Sequence, residues 1–214
     1  MSTSVRIGAH RKMSNNWLSQ AGRKHYHRRV RYLFFAIFVL LLWLPLKAAE
    51  DWKGTASATY HASSTLHEWT GQARSSPFVA AVELKDGAPA RLRTKVEFPV
   101  SGIGSENEKR DANMRAAMKA AEHPLVTGAF DAELPAAFLA GEEAELPVDV
   151  TLLGRTHRLK CKATRWRSAG GEASFDVEFP ISLEAVGIDI PSFLLLVRVH
   201  DAVLVRTHVT LSSR

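Results

Sequence analysis

Apolar and polar residues alternate in short runs along most of this chain, and that period-two pattern narrows the possible folds more than any other feature. Thr94, Val96, Phe98 and Val100 alternate with Lys95, Glu97 and Pro99, and Leu146, Val148, Val150 and Leu152 alternate with Pro147, Asp149 and Thr151. Phe175, Val177, Phe179 and Ile181 share one side, with Ser174, Asp176, Glu178 and Ser182 on the other. Successive side chains of a strand point to opposite faces, so each run reads as a strand with one buried and one solvated face. Trp52 to Tyr60, Phe78 to Leu84, Val126 to Phe130, Leu159 to Ala163, and Phe193 to Leu211 with a break at His200-Asp201 read the same way. Reversals fall at Lys85-Asp86-Gly87, Gly154-Arg155 and Ala169-Gly170-Gly171, where Gly supplies the backbone that tight hairpins need. Short strands at this spacing predict a mainly β fold, an antiparallel sandwich or barrel, and the sharp alternation favours one sheet curled round a single interior.

One segment breaks the pattern. After the strand ending at Val100, Ser105-x-x-Glu108 has the form of a capping box, and Met114, Met118 and Ala121 then fall at helical spacing. The spacing predicts a short helical insertion over about residues 106–123, with Glu108, Lys109, Arg110, Arg115 and Lys119 on its outer surface and Pro124 ending it. A lone helix among strands is a candidate lid or plug. Leu134 to Glu145, with Pro135 and Gly141, reads as a loop anchored by Phe138.

The first 49 residues read differently. Residues 1–31 carry eight Lys and Arg and no acid, and Tyr32 to Leu46 is an apolar run of 15. A basic flank before such a run fits a targeting segment: a signal peptide over about 1–48, with an uncleaved inner-membrane anchor as the alternative. The organisation expected is therefore a leader over 1–49 and one domain over 50–214, in a periplasmic or secreted protein. Nine of the 28 Lys and Arg lie in the leader, so 19 face 22 Asp and Glu beyond it, a balance of −3. Without a basic surplus the domain is not expected to bind nucleic acid. The single Cys161 cannot form an internal disulfide, so stability must come from a core.

Ser64-x-x-His67-Glu68-Trp69, Asp111-x-x-Met114 leading to Glu122-His123-Pro124, Leu153-Gly154-Arg155-Thr156, Val186-Gly187-Ile188 and Pro191-Ser192-Phe193 occur in that order between Trp52 and Arg214. In this the chain resembles the YceI-like family of exported polyisoprenoid-binding proteins. The resemblance implies an extended lipocalin-like antiparallel barrel whose interior holds a long isoprenoid, such as a quinone or a polyprenyl phosphate. On that reading the cavity lining would be Val96, Phe98, Val100, Met114, Met118, Phe130, Val150, Leu159, Phe175, Val177, Phe179 and Val205. Apolar chains gain roughly 25 cal/mol per Å² removed from water, so such a tunnel needs few polar contacts. The same residues could instead pack on one another, which would leave a filled barrel serving as a protein-interaction module.

Other chemistries find little support. Six histidines follow the leader, at 61, 67, 123, 157, 200 and 208; no pair has the helical spacing of a zinc site, though His61/His67 or His200/His208 could meet across strands, and no metal or other cofactor is expected. The chain has no G-x-S-x-G, no H-E-x-x-H and no Gly-rich phosphate loop between strand and helix, and Cys161 sits mid-strand on the inner face as a structural thiol. Asp111, Glu122 and His123 could converge at a barrel mouth as acid and base, but a charged loop beside a helix is the simpler reading. Arg158, Lys160 and Lys162 read as a solvated outer stripe. The expectation is a non-enzymatic lipid binder with an isoprenoid as its partner and membrane association through the N-terminal segment.

Overall fold

The computed structural model describes residues 49–189 and 199–213. The leader and the motif Pro191-Ser192-Phe193, with the strand expected from Phe193, lie outside the described residues. The rest is a closed antiparallel barrel. Its strands are β1 (Ala49–Ser63), β2 (Glu68–Arg74), β3 (Phe78–Lys85), β4 (Ala88–Pro99), β5 (Leu125–Glu133), β6 (Ala144–Leu152), β7 (Arg155–Ala169), β8 (Glu172–Ser182) and β9 (Ala202–Ser212). Neighbours pair in chain order from β3 to β9, and β9 closes the ring on β1 from Lys53↔Ser212 to His61↔Leu204.

Nine strands make eight staves because β2 and β3 share one. The first half of β1 pairs with β3 and the second half with β2, on the same edge. Ser75 and Ser76 join the two pieces: the Ser75 N–H donates to the Ala56 carbonyl, the Ser75 hydroxyl accepts from the Ala56 N–H, and the Ser76 N–H donates to Glu97 across on β4. Those bonds keep the sheet continuous where the chain changes strand.

Three hairpins follow from the turn residues. Asp86-Gly87, Leu153-Gly154 and Gly170-Gly171 all have positive φ, between 49° and 82°, as the tightest right-twisted hairpins require. A different constraint acts at Gly71, where any Cβ would lie 2.2 Å from the Tyr60 ring. The aromatic side chain therefore lies flat across β2.

The helical insertion is shorter than its sequence predicts. Helix α1 runs Glu108–Ala117, and its N-cap is Asn107, whose side chain accepts from the Arg110 N–H. Ser105 cannot cap it because Glu106, between them, has φ 61°. Nor does Pro124 end it. Lys119 at φ 49° reverses the chain, with Ala120 N–H bonded to the Arg115 carbonyl and Lys119 N–H to Ala116, the paired bonds of a left-handed C-terminal cap. The stretch expected to be a loop after β5 contains a further short helix, α2 (Ala136–Leu139), and its Phe138 is fully buried.

Phe138 closes one end of the barrel. Its ring lies 5.4 Å from Trp166 and 6.0 Å from Phe175, and Trp166 and Phe175 are 5.7 Å apart. Aromatic triads at such separations pack by offset and edge contacts as well as by area. The opposite end carries α1, the Leu153-Gly154 turn and the Ser64–His67 turn.

Candidate functional site

Between those ends the barrel is not filled. A cavity of about 550 Å³ runs inside it, walled by alternate residues of the strands and by one face of α1. Inward positions of a strand fall at every second residue, so β4 contributes Leu92, Thr94, Val96 and Phe98, and β9 contributes Val203, Val205, Thr207 and Val209. Of the lining predicted from sequence, Val96, Phe98, Met114, Met118, Phe130, Val150, Phe175, Val177, Phe179 and Val205 stand on the cavity wall.

Val100 and Leu159 do not line it. Val100 begins a 3-10 turn after β4, is 1% exposed, and accepts a hydrogen bond from the Ile103 N–H; the turn carries it off the strand pattern and into packed core. Leu159, opposite Val148 on β6, packs against the core rather than the open space. The wall also includes small residues that alternation did not single out, among them Ala56, Ala58, Ala62 and Ala73. Small side chains facing inward are what leave the volume open.

The helix side of the cavity departs most from expectation. Lys109 and Arg110, assigned by their charge to the outer surface, line the cavity together with Asn107 and Asn113. The face that α1 turns inward is thus polar in its first half and apolar in its second, where Met114, Ala117 and Met118 follow. Arg110 is held in place. Its Nε donates to the Ser105 hydroxyl at 2.7 Å, one terminal nitrogen donates to the Ser105 carbonyl at 2.9 Å, and its guanidinium lies 5.1 Å from the centre of the Trp69 ring. Cation and aromatic face attract one another in this geometry.

Beneath that pair lies Asp111. Its carboxylate is buried and accepts from both the backbone N–H and the hydroxyl of Ser105. Burial opposes its charge, but the two Ser105 bonds and the nearby Arg115 and Arg110 hold its pKa below the usual carboxylate range. Tyr60, half buried on the opposite wall, donates to the Met114 sulfur at 3.6 Å, and burial raises its phenol pKa. His123 packs against Gly154, where an added Cβ would lie 3.1 Å from its ring. Asp111 and His123 thus have separate partners, and no acid and base pair forms at the mouth from the residues considered for one.

Cys161 faces the cavity and is 1% exposed, and burial pushes its thiol up to about 11. A thiol held that high is protonated at neutral pH and a poor nucleophile. The Arg158, Lys160 and Lys162 stripe lies outside the barrel, paired across to β6 and the residue before it: Arg158 with Asp149 at 2.8 Å, Lys160 with Glu145 at 2.6 Å and Lys162 with Glu143 at 2.6 Å. Exposed pairs of this kind contribute little to stability, but they neutralise the stripe. Among the described residues no three His, Cys, Asp or Glu side chains come together as a metal site. Ser63 takes His200, at 2.9 Å, and Asp176 takes His208, at 2.6 Å, so neither reaches the other.

A second, smaller pocket of about 290 Å³ lies on the outside where β7 and β8 part. Their ladder runs only from Lys162↔Glu178 to Ala169↔Glu172. Above it Pro180, which has no N–H to give, belongs to β8, and Cys161 and Phe179 line both this pocket and the cavity.

The description of the YceI-like domain matches residues 53–211. No curated protein matches the chain. The crystal structure of Burkholderia cenocepacia BcnA is similar at 16% identity and a TM-score of 0.58, over 72% of this chain and 95% of that one. A polyisoprenoid binding domain from Saccharophagus degradans, implicated in plant cell wall breakdown, is similar at 12% identity and a TM-score of 0.53, over 76% of this chain and 98% of that one. At these identities the likeness is one of fold.

Proposed function

The chain belongs to the YceI-like domain family, and we propose that it is an exported, non-enzymatic carrier that sequesters a polyisoprenoid in its barrel. The observation that carries this reading is the cavity, about 550 Å³ and walled mainly by apolar side chains, Val, Ala, Phe and Leu foremost. Water in an apolar tube finds few of the polar partners that hold a buried water in place. A long apolar chain that displaces it gains the transfer free energy of its whole buried surface.

The similar domain from Saccharophagus degradans is described as polyisoprenoid binding, which supports an isoprenoid over a compact apolar ligand. Branched chains also suit walls of mixed Val, Phe and Ala better than flat rings do. Export agrees with the basic, apolar leader, residues 1–48. Cys161, its thiol pushed up to about 11 by burial, is protonated at neutral pH, which supports binding without turnover.

Mass spectrometry of organic extracts from the purified protein tests the reading. The expected result is an isoprenoid in near-stoichiometric amount, retained through chromatography. Protein that yields no lipid, and that binds no long-chain isoprenoid when one is offered, would return the filled-barrel interaction module to first place.

A further inference from the structure

The wall of the barrel thins at the seam where β7 and β8 part above Lys162↔Glu178. Neighbouring strands of a continuous sheet stand about 4.8 Å apart, too close for a hydrocarbon chain to pass between them. At the seam that barrier is missing. Cys161 on β7 and Phe179 on β8 border the cavity on one side and the outer pocket on the other, so the thickness of one residue divides the two spaces. Pro180 has no N–H with which to extend the ladder, and no bridge joins the β7 residues before Lys162 to β8.

The outer pocket is built for an apolar occupant. Ala144, Cys161, Phe179, Pro180 and Leu204 give it an apolar lining, and its other lining residues are charged. Each of those charges has a partner: Lys160 with Glu145, Lys162 with Glu143, and Glu178 with Arg206. An ion entering would have to break one of these pairs, whereas an apolar group covers Pro180 and Leu204 without doing so. Leu204 lies opposite Pro180 and outside the cavity, while Val203 and Val205 on either side of it line the cavity. Capacity supplies the reason for an outlet. A cavity of about 150 Å³ takes a six-carbon benzene, so about 550 Å³ holds on the order of 20 carbons. The cluster of Phe138, Trp166 and Phe175 closes the far end, and a longer chain must leave elsewhere. The outer pocket, about 290 Å³, has room for on the order of ten carbons more.

We propose that the β7–β8 seam is a side outlet of the cavity, and that the outer pocket seats the far end of a lipid chain too long for the cavity. This rests on the lipid-carrier reading and adds a second opening to it. The chain passes between Cys161 and Phe179 and lays its end on Pro180 and Leu204. Opening needs a rotation of the Phe179 side chain and costs no ladder bond, because the ladder has already ended at Glu178.

Two isoprenoid alcohols test this: geranylgeraniol, with four isoprene units, and its six-unit homologue, each also made with a photoactivatable diazirine at the end of the chain away from the hydroxyl. In delipidated full-length protein the six-unit probe should cross-link to the outer pocket, at Lys160, Lys162, Pro180 or Leu204, and the four-unit probe to cavity residues. Cross-links of the six-unit probe at α1 or at the turn from Ser64 to His67 would mean that excess chain leaves by the mouth; these, or cross-links confined to the cavity, would overturn the outlet and leave the lipid carrier standing. Leu204→Lys places a charge in the outer pocket without touching the cavity, and thermal melting reports whether it folds. It should weaken binding of the six-unit alcohol roughly tenfold, about the worth of one buried apolar side chain, and leave geranylgeraniol unchanged. An equal effect on both alcohols, or none on either, would overturn the outlet. Failure of both alcohols to bind the parent protein would remove the carrier reading and the outlet with it.

Discussion

Asp111 shows what a single buried charge does here. Its two oxygens take the Ser105 N–H and hydroxyl, which fixes the loop before α1 and, through Ser105, the guanidinium of Arg110. Asp111→Asn keeps the shape but replaces a charge-assisted pair with weaker bonds, and should destabilise the protein by about 1–3 kcal/mol at neutral pH. The pH dependence follows from the direction of the shift. The folded pKa is depressed, so the stabilisation is complete above the unfolded value of about 3.9 and disappears as pH falls through the lower folded value. Melting curves of the two proteins should converge below about pH 4 for that reason; a gap that stays constant into acid would mean the charge contributes nothing. From sequence, Asp111 was visible only as part of a motif. Its role depends on Ser105, six residues away, which reads more readily as a helix cap.

Helix α1 is the element whose reading changed most. Its Met114 and Met118 spacing pointed to a short helix between two strands, and a short helix is there. The inward placement of Lys109 and Arg110 could not be read from periodicity, because that method assumes the inward face is apolar, and a helix over a cavity mouth need not obey it. Its C-terminus carries a removable strain. Lys119 holds φ 49°, a conformation that a residue with a Cβ adopts at a cost of roughly 1 kcal/mol and Gly adopts freely. Lys119→Gly is therefore expected to leave stability unchanged or raise it, in spite of the added chain entropy, when measured by urea unfolding. A loss above about 1 kcal/mol, the usual cost of Gly within a helix, would mean that the Lys119 side chain matters more than its backbone.

At the scale of the molecule, the strands were legible because a barrel wall alternates as strictly as any sheet. The hairpins were legible because their turns need Gly. Hidden were the sharing of one stave by β2 and β3, which depends on backbone bonds from Ser75 and Ser76, and the choice between open and filled interior, which depends on summed side-chain volumes round the ring. Val177→Phe addresses that choice directly. Val177 stands on the cavity wall, so the larger ring should enter free space: the delipidated variant should melt close to the parent while its lipid capacity falls. In a filled interior the same change would cost about 1–3 kcal/mol by overpacking.

The parting of β7 from β8 above Lys162↔Glu178 has a kinetic side as well. Backbone groups from Arg155 to Cys161 have no ladder partner on β8, as most of β5 has none on β6, and His157 on that stretch buries its Nε2 without a partner. Amides held on one side only should open without unfolding the barrel, so hydrogen exchange there should be fast, while β9, paired along both edges, exchanges only through global opening. An occupant that reaches Cys161 and Phe179 from inside would brace this part of the wall. The seam amides should then slow on loading more than those of β9, and their exchange would report how full the barrel is.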